Sequence, residues 1–526
     1  MKSTFQFQML VCISISTLML SCSQQKEPIS YPKTDLSKAA LIPLPQQIIA
    51  TETAFGLDKN TVIYTSSKAN DFKAVAQHLS DNIHAQIGVR MPINSSSSST
   101  VSRIIYINQS STEAIQHKEG YQLYLTNDSI FINAANAEGA FRGVQTLQQL
   151  IPQEKDTALS SSPMWLIPSG KIIDEPNYTY RGTMLDVARH FFTVTEVKRY
   201  IRFLAYYKIN YLHLHLSDDQ GWRIAINAYP KLTEIGSLTE VGGGNGGFYT
   251  QEEYSDIVAY AAKHYITIIP EIDMPGHTNA ASVAYPYLNG NGKKLTAYTG
   301  TKVGFSTFNT RSKKVYDFID TVIEEIAALT PGPYFHIGGD ESHSTKKADY
   351  VYFMDNVIKI VQKHGKTTIG WDEIATSNAG STSVSQFWAS EKNAVLAKTK
   401  RMKLIMSPAK RAYLDMQYDS LSKHGLHWAA FITVKDGYDW QPETYTEGIE
   451  KDAILGIEAP LWSETISNST ELEYLAFPRI LGYAELGWSA PSARNWEDYR
   501  IRLAKQTPYF KRNTINYYPS SLIDWE

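Results

Sequence analysis

The chain beyond residue 178 alternates short apolar runs with longer stretches of helical hydrophobic periodicity. The helical stretches include 195–207, 251–265, 313–329 and 350–364. Eight apolar runs predict strands: 182–185, 211–216, 266–270, 334–337, 367–370, 384–387, 403–406 and 454–457. Strands that alternate with helices in this way pair in parallel. Eight of them predict a (β/α)8 TIM barrel, in which the active site lies at the carboxyl ends of the strands.

The region that precedes the barrel has a different, mixed pattern. It combines strand-like runs, a hairpin at 120–133 and helical stretches at 71–86 and 138–150. Residues 39–175 therefore predict a smaller α+β accessory domain, and residues 176–526 the catalytic barrel domain. Three prolines and a glycine within 163–176 favour a linker between the two domains.

The first residues of the chain have the pattern of an export signal. Lys2 precedes an apolar stretch at 9–20, which is too short for a retained membrane helix. The run at 18–22, LMLSC, resembles a bacterial lipobox, which implies lipidation of Cys22. We therefore expect a lipoprotein signal peptide at 1–21, a tether at 22–38, and an exported protein in the periplasm or at the outer membrane or cell surface. Cys12 falls in the removed segment, so the mature chain has no disulfide.

Composition narrows the classes of partner. The chain of 526 residues has 43% hydrophobic residues and a net charge of −3, which indicates globular domains and gives no basic footprint for nucleic acid. Tyrosine (33) and tryptophan (10) are abundant. Because aromatic faces stack against the apolar faces of sugar rings, this abundance favours carbohydrate binding once the aromatic residues are placed at a common site.

Acidic and aromatic residues collect directly after the predicted strands. They are Asp186, Asp218, Asp219, Asp273, His277, Asp340, Glu341, Trp371, Trp388, Tyr413, Asp415, Trp462 and Glu464. A single acid at a strand end can be a helix cap. The joint pattern predicts a sugar site at one mouth of the barrel, because carboxylates accept hydrogen bonds from hydroxyls while aromatic rings contact C–H faces.

Several peptides match a known family. The sequence resembles glycoside hydrolase family 20, the β-N-acetylhexosaminidases. The matching stretches are YRGTMLDVARH (180–190), HLSDDQGWR (215–223), PEIDMPGH (270–277), HIGGDE (336–341), GWDE (370–373), YLD (413–415) and EAPLWSE (458–464). Residues 139–143 and 145–148 also look like the N-terminal domain of that family.

The resemblance implies an exo-acting hydrolase that releases terminal β-linked N-acetylglucosamine or N-acetylgalactosamine with retention of configuration. Glu341 is expected to be the general acid and then the base. Asp340 is expected to orient the substrate's acetamido group, which itself attacks the anomeric carbon. Asp273 and His277 are expected to form a supporting pair beside Glu341. No cofactor and no metal are implied.

The resemblance also assigns residues to substrate binding: Arg181, Asp218, Trp371, Trp388, Tyr413, Asp415, Trp462 and Glu464. The expected roles differ among them. Arg181 and Glu464 are expected to grip the ring hydroxyls, with Asp218 supporting Arg181 or those hydroxyls. The three tryptophans are expected to wall the acetamido methyl and the ring, Tyr413 to bond the acetamido oxygen, and Asp415 to contact the outer hydroxyl.

Other residues in these peptides are interpreted as packing or ion-pair residues: Arg189, His190, Trp222 and Glu271. Three alternatives stay open. His213 and His215, on one face of a strand, are compatible with a metal-dependent amidohydrolase. A sugar-binding lipoprotein without catalysis and a family member that releases lacto-N-biose are the other two. The expected partners are a glycan ending in β-GlcNAc or β-GalNAc and, through Cys22, a membrane.

Overall fold

A computed structural model describes residues 31–65, 69–94, 103–110, 117–156, 163–293 and 295–526. The predicted signal peptide and Cys22 lie outside the described residues. Within those residues the chain forms a seven-stranded sheet followed by a closed eight-stranded barrel. No helix of the described ranges is both long and apolar enough to cross a membrane.

The N-terminal domain is built on the seven-stranded sheet. Its strands are β1 (Gln47–Leu57), β2 (Val62–Thr65), β3 (Ile93–Asn94), β4 (Ile104–Gln109), β5 (Tyr121–Leu125), β6 (Ser129–Ala134) and β7 (Trp165–Asp174). They lie in the order β1-β7-β5-β6-β4-β2-β3. The predicted hairpin is confirmed, because β5 and β6 pair antiparallel. The sheet is mixed, since β2, β4 and β6 pair in parallel.

Two helices, α1 (Asn70–Ile87) and α2 (Ala137–Leu150), pack together beside this sheet. On α1 the buried positions Phe72, Val75, Leu79 and Ile83 recur every three or four residues. That spacing places them on one face of the helix, where they join the hydrophobic core.

The structure corrects one expectation about the ends of this domain. The predicted linker at 163–176 contains β7, which pairs with both β1 and β5. The linker was predicted from the proline and glycine content of the segment. Ile167 and Ile172 of this strand are fully buried, as expected of a strand that belongs to the sheet. The described part of the predicted tether also packs against the domain, because Leu36 is fully buried and Lys33 pairs with Glu52.

The barrel closes with all eight predicted strands. They are β8 (Tyr180–Asp186), β9 (Tyr211–His215), β10 (Thr267–Glu271), β11 (Tyr334–His336), β12 (Thr367–Trp371), β13 (Ser383–Phe387), β14 (Lys403–Met406) and β15 (Ile454–Leu461). Each strand pairs in parallel with the next, and β15 closes onto β8. The (β/α)8 prediction is confirmed.

Helices connect and cover these strands. They are α3 (Val194–Tyr206), α4 (Lys231–Glu234), α5 (Gln251–Lys263), α6 (Asn279–Ala284), α7 (Lys313–Leu329), α8 (Lys347–Lys363), α9 (Glu391–Thr399), α10 (Ala409–Ala412), α11 (Val434–Tyr438), α12 (Pro442–Tyr445), α13 (Ser469–Ala476), α14 (Arg479–Trp488), α15 (Trp496–Ala504) and α16 (Thr507–Arg512). Thr193 and Thr250 form capping boxes at the starts of α3 and α5. These caps fix where each helix begins.

The barrel strands carry both apolar and polar side chains that are buried. An apolar cluster is formed by Tyr180, Ile269, Ile369, Val384 and Ile405. Buried polar groups on the strands include His213, Glu271 and Glu458. On β10 the charged Glu271 is the last residue, two positions after Ile269 of the apolar cluster.

Candidate active site

A cavity of about 220 Å3 opens among the segments that follow the carboxyl ends of the barrel strands. It is lined by Arg189, Thr301, Val303, Asp340, Glu341, Trp388, Tyr413, Asp415, Leu426, Trp428, Trp462 and Glu464. Seven of these twelve residues are candidates from the sequence. The structure thus brings most of the predicted site together, as expected when acids and aromatic residues follow parallel strands.

The turn after β11 presents the two central carboxylates. Gly338 and Gly339 have φ values of +63° and +103°, and Glu341 itself has φ +45°. A Cβ atom on Gly338 would lie 1.8 Å from Oδ1 of Asp273, so only glycine fits. Because a non-glycine residue at positive φ is strained, the surrounding contacts must hold Glu341 in this conformation.

His277 links the two carboxylates to a third one. Its Nε2 lies 3.6 Å from Oδ2 of Asp340 and 3.7 Å from Oε2 of Glu341. Its Nδ1 lies 3.1 Å from Oδ1 of Asp218. The expectation that Asp273 fixes the imidazole is therefore corrected, since Asp218 makes that hydrogen bond, whereas Asp273 interacts with His277 electrostatically. Although burial lowers the pKa of His277, Asp218 and Asp340 raise it well above its usual value.

Asp273 instead supports the turn that carries Asp340. Its Oδ1 accepts a hydrogen bond from the backbone N–H of Gly339 at 3.0 Å. Burial raises the pKa of Asp273 to about 7. Burial and the charge of Asp273 also raise the pKa of Asp340 well above its usual value, against the opposing effect of His277. These two buried acids therefore titrate as an interacting pair.

Arg189 occupies the position in the pocket that had been expected for Arg181. Its guanidinium donates to Oδ2 of Asp218 at 2.7 Å and lies 4.8 Å from the ring centre of Trp462. Glu464 also lines this part of the cavity and interacts electrostatically with Arg189. The interpretation of Arg189 as an ion-pair residue was correct but incomplete, because the ion pair lies in the cavity wall.

Arg181 lies at the amino end of β8, away from the cavity. Its Nε donates to the backbone oxygen of Lys208 at 3.0 Å, and its Nη1 to that of Tyr178 at 2.7 Å. Its Nη2 pairs with the buried Glu119 of the N-terminal domain. Arg181 therefore holds the two domains together, and the substrate-binding prediction for it is wrong. The family peptide contains two arginines, and only strand direction tells which one reaches the mouth.

Aromatic residues form the other walls of the cavity. Trp388 and Tyr413 have ring centres 6.5 Å apart in a stacked arrangement, and Tyr413 lies 6.4 Å from Trp462. The indole N–H of Trp388 donates to Glu373 at 3.1 Å. Trp371 is fully buried behind Trp462, at 5.7 Å between ring centres, and is not among the described residues that line the cavity. It supports the wall instead of forming its surface.

Two acids near the cavity have pKa values above those of free carboxyl groups. Asp415 is buried in the wall, and burial together with the charge of Glu464 raises its pKa well above the usual value. Burial also raises the pKa of Glu464, although Arg189 opposes that shift. Buried carboxyl groups next to an arginine are suited to hold several sugar hydroxyls at once.

Four lining residues are not among the residues predicted from the sequence: Thr301, Val303, Leu426 and Trp428. Trp428 is 57% exposed and lies 6.3 Å from Trp388 and 6.0 Å from Tyr413. It comes from the long segment between β14 and β15, outside the matched peptides. The only available signal was an aromatic residue in a segment after a barrel strand.

The metal alternative rested on His213 and His215. Ligand atoms of His213, Glu271 and His336 do come within 4.8 Å of one another. However, His213 bridges Glu271 and Glu458 at 3.0 Å each, and His215 bridges Glu271 and Asp218. The imidazoles are therefore engaged by carboxylates in the barrel interior, below the cavity.

Comparison with known proteins decides the family. The model of "Glycosyl hydrolase family 20, catalytic domain" matches residues 178–491, and that of domain 2 of the same family matches residues 38–175. The chain belongs to glycosyl hydrolase family 20. Family 20 relatives cover both of its domains.

Among these relatives, a β-N-acetylhexosaminidase from Cellulomonas fimi is 39% identical over 77% of this chain and 82% of its own length. A β-hexosaminidase from Porphyromonas gingivalis is 34% identical over 96% of this chain and 68% of its own length. The solved N-acetyl-β-hexosaminidase of Streptomyces plicatus, in complex with thio-NAglucal, matches with a TM-score of 0.89 and 43% identity. The match covers 94% of this chain and 99% of that chain. A mutant of it was solved with its product GlcNAc, at a TM-score of 0.88. The family 20 chain is thus a glycoside hydrolase of the β-N-acetylhexosaminidase type.

Proposed function

We propose that this chain removes terminal, non-reducing β-linked N-acetylglucosamine or N-acetylgalactosamine by a retaining mechanism in which the substrate's acetamido group is the nucleophile. One observation carries the proposal. Oδ1 of Asp340 is buried without a hydrogen-bond partner among the described residues, beside a cavity walled by Trp388, Tyr413 and Trp462. An acetamido group offers an N–H for that oxygen and a methyl for those rings.

The first step forms one bond and breaks another. The acetamido oxygen attacks the anomeric carbon, and the glycosidic bond breaks as Glu341 gives its proton to the leaving oxygen. The positive charge that develops on the acetamido group favours the ionised form of Asp340, which accepts its N–H. Tethering the nucleophile beside its target supplies much of the rate, because no second molecule has to be positioned.

The second step returns the site to its starting state. Glu341, now ionised, takes a proton from water as the water oxygen attacks the anomeric carbon and the acetamido oxygen leaves. Two inversions give net retention. His277, held by Asp218, has its Nε2 3.7 Å from Oε2 of Glu341 and therefore faces the group that donates and then accepts the proton.

The residues that line the cavity support an exo-acting enzyme. Arg189, Asp415 and Glu464 lie in its wall and are suited to the hydroxyl groups of a terminal ring. A chain extended through those hydroxyls meets buried charged groups, so internal sugars are rejected.

Purified protein incubated with 4-nitrophenyl N-acetyl-β-glucosaminide, the corresponding galactosaminide and a β-linked GlcNAc oligomer tests the proposal. We expect nitrophenol release, monosaccharide as the first oligomer product, a β-anomer in NMR spectra, and unchanged activity with a chelator. An α-anomer, larger first fragments or no turnover would refute it. Loss of activity with a chelator would contradict a mechanism that uses no metal.

We also propose that the protein is exported and lipid-anchored through Cys22. The support is the sequence of residues 1–22, in which Lys2 precedes an apolar stretch and the run LMLSC ends at Cys22. Labelled palmitate should be incorporated by the full chain expressed in a bacterium and not by Cys22→Ser. Equal labelling of both, or of neither, overturns the anchor.

A further inference from the structure

Six buried acids and imidazoles make a continuous chain from the barrel interior to the active site, here called the interior chain. In order they are Glu458, His213, Glu271, His215, Asp218 and His277. All six are at most 1% exposed. At its end, His277 faces Asp340 and Glu341. Acid and base alternate at every step, so each contact joins groups of opposite charge when the imidazoles are protonated.

Glu271 is the branch point of the interior chain. Its Oε2 contacts Nδ1 of His215 and lies 3.0 Å from Nε2 of His213. Its Oε1 accepts the indole N–H of Trp371 at 3.0 Å, with His336 also at 2.8 Å. One fully buried carboxylate therefore contacts three imidazoles and one indole.

Electrostatics keep this carboxylate ionised. Burial opposes ionisation, but His215, His336 and His213 together hold the pKa of Glu271 well below its usual value. In return, Glu271 and Glu458 overcome the effect of burial and raise the pKa of His213 to about 9. A buried charge compensated on several sides is costly to displace, since each lost partner leaves an unpaired charge in the interior.

Two arms lead from Glu271 to the cavity. The first is the bond to Trp371, which packs 5.7 Å behind Trp462, a wall of the cavity. The second runs through His215, whose Nε2 lies 2.8 Å from Oδ2 of Asp218. Asp218 in turn holds His277 and Arg189. Glu458 has neither arm, because its partners are His213, Tyr180 and Gln386.

We propose that Glu271 is a positioning residue that holds the acetamido-side wall through Trp371 and the proton-donating side through His215 and Asp218. This inference rests on the proposed function. The two arms affect different parts of the reaction. Displacement of Trp371 impairs the acetamido attack for any leaving group. Displacement of His215 impairs proton donation, which matters more as the leaving group becomes more basic.

The experiment compares kcat and KM for N-acetyl-β-glucosaminides of 2,4-dinitrophenol, 4-nitrophenol and phenol. For Glu271→Gln we expect kcat on the dinitrophenyl substrate to fall about 10²-fold, the cost of a misplaced reacting group, and to fall further for the phenyl substrate. Trp371→Phe should lower kcat by a similar factor on all three substrates. His215→Gln should lower kcat mainly on the phenyl substrate.

Glu458→Gln is the matched control, because it removes a buried carboxylate of the same interior chain without either arm. We expect its kcat values to stay close to those of the unmodified protein. Three results would overturn the inference. The first is an equal fall of kcat in Glu458→Gln and Glu271→Gln. The second is a Glu271→Gln change in KM alone, and the third is a Glu271→Gln fall of kcat that is the same for all three leaving groups. Turnover by the unmodified protein, measured first, tests the proposed function separately.

Circular dichroism and Tm identify variants that fail to fold. If Glu271→Gln does not fold, Trp371→Phe and His215→Gln decide the matter, since each removes one partner of Glu271 and leaves the carboxylate in place. Unchanged kcat in both variants then overturns the inference, and the two distinct leaving-group patterns support it.

Discussion

Asp218 holds His277 from the side of the imidazole ring opposite the catalytic pair, with 3.1 Å between Oδ1 and Nδ1. The other ring nitrogen faces Asp340 and Glu341. An acid that orients an imidazole in this way controls which nitrogen carries a proton and stabilises its charged form. Asp218, which is not among the described residues that line the cavity, is therefore expected to influence proton transfer.

Asp218→Asn should lower kcat about 10²-fold, because the imidazole loses its orientation and the charge that raises its pKa. The loss should be larger for a phenyl than for a dinitrophenyl glycoside. Asp219→Asn is the matched control, since Asp219 accepts from the N–H of Asn279 and from Ser306 and not from His277. If Asp219→Asn lowers kcat as much as Asp218→Asn, orientation of His277 is not the cause.

Glu341→Gln and Asp340→Asn should differ in how strongly their effect on kcat depends on the leaving group of the substrate. The first should lower kcat about 10²–10⁴-fold on glycosides with a basic leaving group, and far less on the dinitrophenyl substrate. Asp340→Asn should lower kcat strongly on both, because acetamido attack itself is impaired. Steady-state kinetics on the two substrates measure this. Equal losses for Glu341→Gln on both substrates would remove it as the general acid.

Arg189→Lys should raise KM about tenfold, the equivalent of about 1.4 kcal/mol, because an ammonium group cannot reproduce the forked contacts of a guanidinium. Arg181→Lys is the control at the domain interface. It should lower Tm, since Arg181 pairs with the buried Glu119, and leave KM unchanged. The reverse assignment, with KM raised by Arg181→Lys only, would contradict the placement of Arg189 in the site.

Asp273→Asn should move the acidic limb of the pH–kcat/KM profile to lower pH, by on the order of one unit. Burial and the charge of Asp273 raise the pKa of Asp340, so removing that charge lowers the pKa. Asp340 then stays ionised, and able to accept the acetamido N–H, to lower pH. The amide oxygen of asparagine can still accept the N–H of Gly339. A profile shifted to higher pH, or unshifted, contradicts the coupling.

The sequence determined the architecture of the barrel and most of its mouth. Eight apolar runs that alternate with helical stretches predicted parallel strands, because a helix that crosses back over the sheet lets the next strand begin at the same end as the previous one. The side chains that follow such strands must then meet at one end, which is why Asp340, Glu341, Trp388 and Trp462 could be assigned to one site. The N-terminal domain was harder to predict, since β7 contains Pro168 and Gly170 of the predicted linker although its alternate residues are buried.

Only the tertiary structure decided which contacts are made across strands. Arg181 and Arg189 belong to one peptide, yet the direction of β8 sends the first to the domain interface and the second to the cavity. Asp218 and Asp273 follow neighbouring strands, and only the positions of their side chains show that Asp218 holds His277. The branching of Glu271 depends on four side chains from three other strands. Sequence periodicity fixes which face of a strand a residue occupies, whereas these pairings depend on distances between strands that periodicity does not encode.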